Sequence, residues 1–92
     1  MKKEVYRYTF APGTRMDEVE EALLLAIFAC ESLHGAPRVR MDASYAADRT
    51  ARTCIVDATT DVGQDICRIF TGFITREFGE DAFAVQRAGG TA

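Results

Sequence analysis

The sequence predicts an α+β domain, on three observations. Short stretches alternate apolar and polar residues as strands do, longer ones repeat apolar residues every three or four positions as helices do, and their order is β-α-β-β-α-β. The chain has 92 residues, which leaves room for one core. We expect a single domain over residues 1–88 and a short flexible tail over 89–92.

The first strand is predicted over Glu4 to Phe10, where Tyr6, Tyr8 and Phe10 alternate with Val5, Arg7 and Thr9. Pro12 and Gly13 end it, and Thr14-Arg15-Met16-Asp17 fits a helix cap. In the helix that follows, Met16, Val19, Leu23, Ala26, Ile27, Cys30 and Leu33 share one stripe, the expected core face. Leu24, Leu25 and Phe28 fall outside it, on the side that also carries Asp17, Glu18, Glu21 and Ser32. Gly35 and Pro37 stop this helix.

Alternation returns from Arg38 to Tyr45, predicting a second strand with Val39, Met41, Ala43 and Tyr45 inward and Arg38, Arg40, Asp42 and Ser44 outward. Ala47-Asp48-Arg49-Thr50 fits a hairpin connection to a third strand near Arg52 to Thr59. Cys54, Val56 and Ala58 are assigned to its inner side, because Asp57 on the other set is costly to bury unpaired. Asp61 and Gln64 suit the start of a second helix striped by Val62, Ile66, Ile69, Phe70 and Phe73, with Ile74 at its margin. Gly79 closes that helix, and Ala82 to Arg87 forms the last strand with Phe83 and Val85 inward.

This pattern, over nearly the whole chain, resembles the ferredoxin-like superfold. The resemblance implies a four-stranded antiparallel sheet in the order 4-1-3-2 with two helices on one face. It licenses no activity, since that superfold hosts many.

Eleven basic and fourteen acidic side chains give a net charge of −3, which disfavours nucleic acid or an anionic membrane as the main partner. The longest uncharged apolar run, Ala22 to Cys30, is too short to span a bilayer. Three widely spaced cysteines without a Cys-x-x-Cys pair suit a reducing compartment, so a cytoplasmic location is expected.

No motif carries chemistry with specificity, and no cofactor or metal is expected. Cys30 and His34 stand four apart on the first helix, but zinc needs more ligands than this pair and Cys67 supply. Asp57, Asp61 and Asp65 read as strand, cap and first-turn residues, not as a carboxylate cluster. Arg7, Arg38, Arg40 and Arg52 form a possible basic patch on the open sheet face. The tyrosines that would stack on bases are assigned to the opposite face, which makes nucleic-acid binding the weaker reading. Arg87-Ala88-Gly89-Gly90 resembles the di-glycine ends of ubiquitin-like modifiers over those residues alone. Such modifiers open with a hairpin, whereas this chain opens with strand then helix.

The expected function is therefore a small non-enzymatic interaction or oligomerisation module using Leu24, Leu25 and Phe28, with a homodimer or another protein as its assembly. The alternative is a dimeric small-molecule-binding or enzymatic domain in which Tyr6, Tyr8, Tyr45 or His34 meets a ligand.

Overall fold

In the computed structural model, which describes residues 3–88, the chain is α+β with a four-stranded antiparallel sheet and three α-helices. The elements run β1 (Val5–Phe10), α1 (Met16–His34), α2 (Ala36–Asp42), β2 (Tyr45–Asp48), β3 (Thr53–Asp57), α3 (Asp61–Phe78) and β4 (Phe83–Ala88), with a 3₁₀ turn at Glu80–Ala82. The strand order is β2-β3-β1-β4, the predicted order read from the other edge. The tail over residues 89–92 lies outside the described residues.

β1 is central, pairing with β3 on one side and β4 on the other. Its alternation sets the faces: Tyr8 and Phe10 are buried and Tyr6 half-buried on the helix side, while Arg7 is exposed on the other. Tyr8 meets Phe70 of α3 edge-on at 4.9 Å between ring centres, and its hydroxyl shares a hydrogen bond with Thr71 Oγ1 at 2.8 Å. Cys54, Val56 and Ala58 are buried as expected.

α1 and α3 pack against each other over this face. Met16, Val19, Leu23, Ala26, Ile27 and Cys30 are buried, but Leu33, assigned to the same stripe, is exposed near the helix end. The expected cap at Thr14 and Asp17 is not made: Arg15 occupies the N-cap position without a side-chain bond, and Asp17 binds the Arg15 guanidinium at 2.8 Å. On α3, Val62, Ile66, Phe70 and Ile74 are fully buried. Its cap is Thr60, one residue before Asp61, with Thr60 Oγ1 accepting from Gly63 N at 3.0 Å.

The largest correction falls on Arg38 to Tyr45, which is mostly helix. Gly35, at φ 88°, turns the chain out of α1, and Pro37 in the first turn of α2 fixes a helical φ where no N–H is needed. Arg38 and Asp42 then pair across one turn. Val39 is buried against the core, whereas Met41, expected beneath the helices, is 85 % exposed. One buried anchor among polar residues mimicked a strand. Pairing starts only at Tyr45, and the turn to β3 runs over Arg49 to Arg52, two residues later than predicted.

Arg52 is the one described non-glycine residue with positive φ, at 58°. Its Nη2 donates to the Ala11 carbonyl at 2.6 Å and to the Thr14 carbonyl, while its own carbonyl accepts from Phe10 N at 2.9 Å. The side chain therefore ties the β2–β3 turn to the β1–α1 loop, and its Nε is buried without a partner.

Gly63 and Gly72 lie on the same helix in opposite surroundings. A Cβ on Gly63 would stand 1.9 Å from the Asp57 carbonyl oxygen, whereas one on Gly72 would meet nothing within 4 Å. Gly63→Ala should destabilise the fold by about 3 kcal/mol or more, because backbone has to move. Gly72→Ala should stabilise it by about 0.5–1 kcal/mol. Urea unfolding of both variants checks this, and equal effects at the two sites would refute the close approach of α3 to β3.

Burial, reinforced by the charge of Glu20, pushes the Cys54 thiol up to about 12 from an ordinary 9.0. Burial likewise raises Tyr8 above the usual phenol range. A raised pKa favours the neutral form in the fold, so this stability is complete below pH 9 and is lost as pH rises toward the folded values. Unfolding free energy should fall by about 3 kcal/mol between pH 9 and 11, about 2 of it from Cys54, so the fall should be shallower in Cys54→Val. Denaturant titrations over that range provide the measurement.

Candidate interaction surface on the first helix

α1 lies on the sheet through one side only, so the residues opposite its core stripe face outward. Leu24 is 48 % exposed and Leu25 and Phe28 are each 57 % exposed. At spacings of one, three and four they form a continuous apolar patch on the back of the helix. Nothing among the described residues covers it. The patch extends onto α3: Leu25 and Phe73 both line a groove of about 460 Å³ between the two helices. Glu18, Glu21 and Glu77 rim that groove, opposed by Arg76 alone. The sequence reading placed Phe73 in the core stripe and so missed it as surface. Its wheel position, three residues from buried Phe70 and one from buried Ile74, puts it at the edge of that stripe.

The four arginines of the proposed basic patch do not come together. Arg7 is on the open sheet face, Arg38 and Arg40 are on α2, and Arg52 is committed to the Ala11 and Thr14 carbonyls. For Arg38 and Arg40 the cause is the helical conformation of residues expected in the second strand. Arg38 Nη2 donates to both carboxylate oxygens of Asp61, at 2.6 and 2.8 Å. Local desolvation raises the Asp61 pKa, but the bonds and charge of Arg38 outweigh it and hold that carboxyl below its ordinary value.

The remaining chemistry-bearing residues have separate partners. His34 Nε2 lies 2.7 Å from Asp65 Oδ2, joining the end of α1 to the start of α3. Cys30, one turn earlier, is fully buried, and burial followed by the charge of Asp65 raises its thiol pKa. Asp57 Oδ1 accepts from Thr59 N at 2.8 Å, and the Thr59 bond holds its carboxyl low. Among the described residues no three His, Cys, Asp or Glu side chains are grouped to hold a metal ion.

A second, larger groove of about 700 Å³ opens between α3 and the outer part of the sheet. Tyr6, Tyr8, Ala58 and Val85 line it from the strand side and Gln64, Cys67, Arg68 and Thr71 from the helix, with Glu4 at one end. Tyr45 and His34, named with Tyr6 and Tyr8 as possible ligand contacts, do not line it. Tyr8 reaches it from a buried position, its hydroxyl already engaged by Thr71.

Comparison of the chain with protein-family models, curated proteins and solved structures finds no match. No helix among the described residues is long and apolar enough to cross a membrane.

The thiols should report this geometry in order. Cys67 borders the large groove and is half-buried, whereas Cys30 and Cys54 are fully enclosed. Native-state labelling near pH 8, followed by peptide mass mapping, should modify Cys67 first and the other two only on unfolding. Faster reaction at Cys54 would contradict its burial.

Proposed function

We propose that this chain is a ferredoxin-like interaction module that docks on another protein chain through the back of α1. The element order, the antiparallel sheet and the two long helices on one face support that architecture, with α2 an addition to its first crossover. The observation that carries the function is the exposure of Leu24, Leu25 and Phe28 as one patch continuous with Phe73. A contiguous patch of this kind marks interfaces, whereas isolated surface leucines do not. Covering roughly 100 Å² at each residue, at about 25 cal/mol per Å², contributes a few kcal/mol before association entropy is subtracted. The acidic rim of Glu18, Glu21 and Glu77 suits a partner with basic residues around an apolar knob.

The double substitution Leu25→Glu, Phe28→Lys should leave stability within about 0.5 kcal/mol, as exposed positions do. A photo-crosslinking residue at position 25 should give one discrete protein adduct in cells, lost when Phe28 is replaced by Lys, and the same probe at Arg40 should give none. No adduct from position 25, or unfolding of the double variant, would remove the basis of this reading.

A further inference from the structure

We propose that β4 is a self-pairing edge, which joins two copies of this chain into a continuous eight-stranded sheet. The two edges of the sheet differ in a way that matters for association. β2 is four residues long and ends at Asp48, so it is short and charged, as protected edges are. β4 is six residues long, contains no proline, and pairs with β1 from Phe83 to Ala88 in unbroken register, without a bulge. Its one charged side chain does not guard the edge, because Arg87 turns onto Glu4 Oε1 at 2.5 Å. Among the described residues nothing pairs with its outer side, and the backbone groups there offer a template for another strand.

The occupant is a second β4 because the strand complements itself. Val85 lies opposite Tyr8 and Arg87 opposite Tyr6, so Phe83, Val85 and Arg87 face the helices while Ala84, Gln86 and Ala88 face away. Opposed residues of an antiparallel pair share a face. With both helix layers on one side of the joint sheet, the two-fold pairings with the longest overlap place Val85 on Val85 or Gln86 on Gln86. The first sets Phe83 against Arg87 of the second copy and buries two valines, each 43 % exposed in the single chain, against one another. The second sets Arg87 against Val85 and stacks two glutamines, so the valine-centred register is favoured. Val85 lines the large groove between β4 and α3, so this pairing brings the grooves of the two copies together across the two-fold axis.

An interface made by one strand pair is small, so the dimer is concentration-dependent. Sedimentation of the full chain should show dimer at about 100 µM. Val85→Lys, which sets two like charges face to face, should weaken it at least about tenfold while circular dichroism stays unchanged. Under mild oxidation V85C should form an intermolecular disulfide, since opposed Cβ atoms about 4.5–5.5 Å apart need only a small strand shift to reach disulfide geometry, and Q86C, which opposes Ala84 in this register, should form none. The Leu25→Glu, Phe28→Lys variant should dimerise like the parent, which separates this proposal from the one resting on α1. A parent that remains monomeric at that concentration overturns β4 pairing. A dimer broken by the α1 variant but untouched by Val85→Lys overturns it equally.

Discussion

Burial of Tyr8 at the middle of the central strand is the constraint from which the rest of the arrangement follows. Its ring lies edge-on to Phe70 and its hydroxyl ends on Thr71, so one residue locks the facing of β1 and the rotation of α3 together. Strand side chains alternate, and a slip of one residue would carry Arg7 under the helices and expose Tyr8. With β1 fixed, its register fixes β3 and β4: Cys54 and Val85 lie opposite Tyr8 and must share its face. The desolvation penalty of a buried guanidinium and the apolar burial of a phenol ring thus act in the same direction.

The same geometry explains why two helices of similar length end with different outer faces. α3 crosses β3 closely at Gly63, where the Asp57 carbonyl leaves no room for a side chain, and this draws Val62, Ile66, Phe70 and Ile74 fully into the core. Its outer side carries polar residues apart from Phe73. α1 has a complete core stripe of its own, so Leu24, Leu25 and Phe28 contribute nothing to that core. A chain this short buries a modest share of its surface, and apolar residues left outside are material for association.

The facing of β1 and β3, both long helices and the strand order were legible because each rests on a period extending over several residues. Tyr6 to Phe10 has two alternations and a charge on the wrong side of the other choice, while Val62 to Ile74 holds a helical stripe for three turns. The segment Arg38 to Asp42 lacked such redundancy. Over five residues a helix with one buried anchor, Val39, and a strand with one apolar side give the same string, and Pro37 was read as a stop when it serves as a first-turn residue. That error also assembled a basic patch from arginines on three different elements. The exposed back of α1 was legible, because residues outside a complete stripe have nowhere else to go. The groove beside β4 was not: how far a helix covers the outer strand of a sheet depends on tertiary placement, and Val85 looked inward from its parity alone.

The two proposed surfaces lie on different flanks, so occupation of one would leave the other open. α1 leans toward the β2–β3 turn, where Glu20 takes Arg49 at 2.7 and 3.0 Å, whereas β4 closes the opposite edge beside α3. If β4 pairs with its own copy, the two-fold axis runs through the joint and sends the two α1 helices to the outer ends of the eight-stranded sheet. Each dimer then presents two identical apolar patches, far apart and on the same side. A partner with two matching sites would bind the second intramolecularly, at an effective concentration set by the span between them. Each patch would then need only modest affinity, which is what three half-exposed side chains can supply once association entropy is subtracted. Weak edge pairing and weak helix docking would in that case reinforce one another, because holding both α1 surfaces on one partner also holds the β4 strands together.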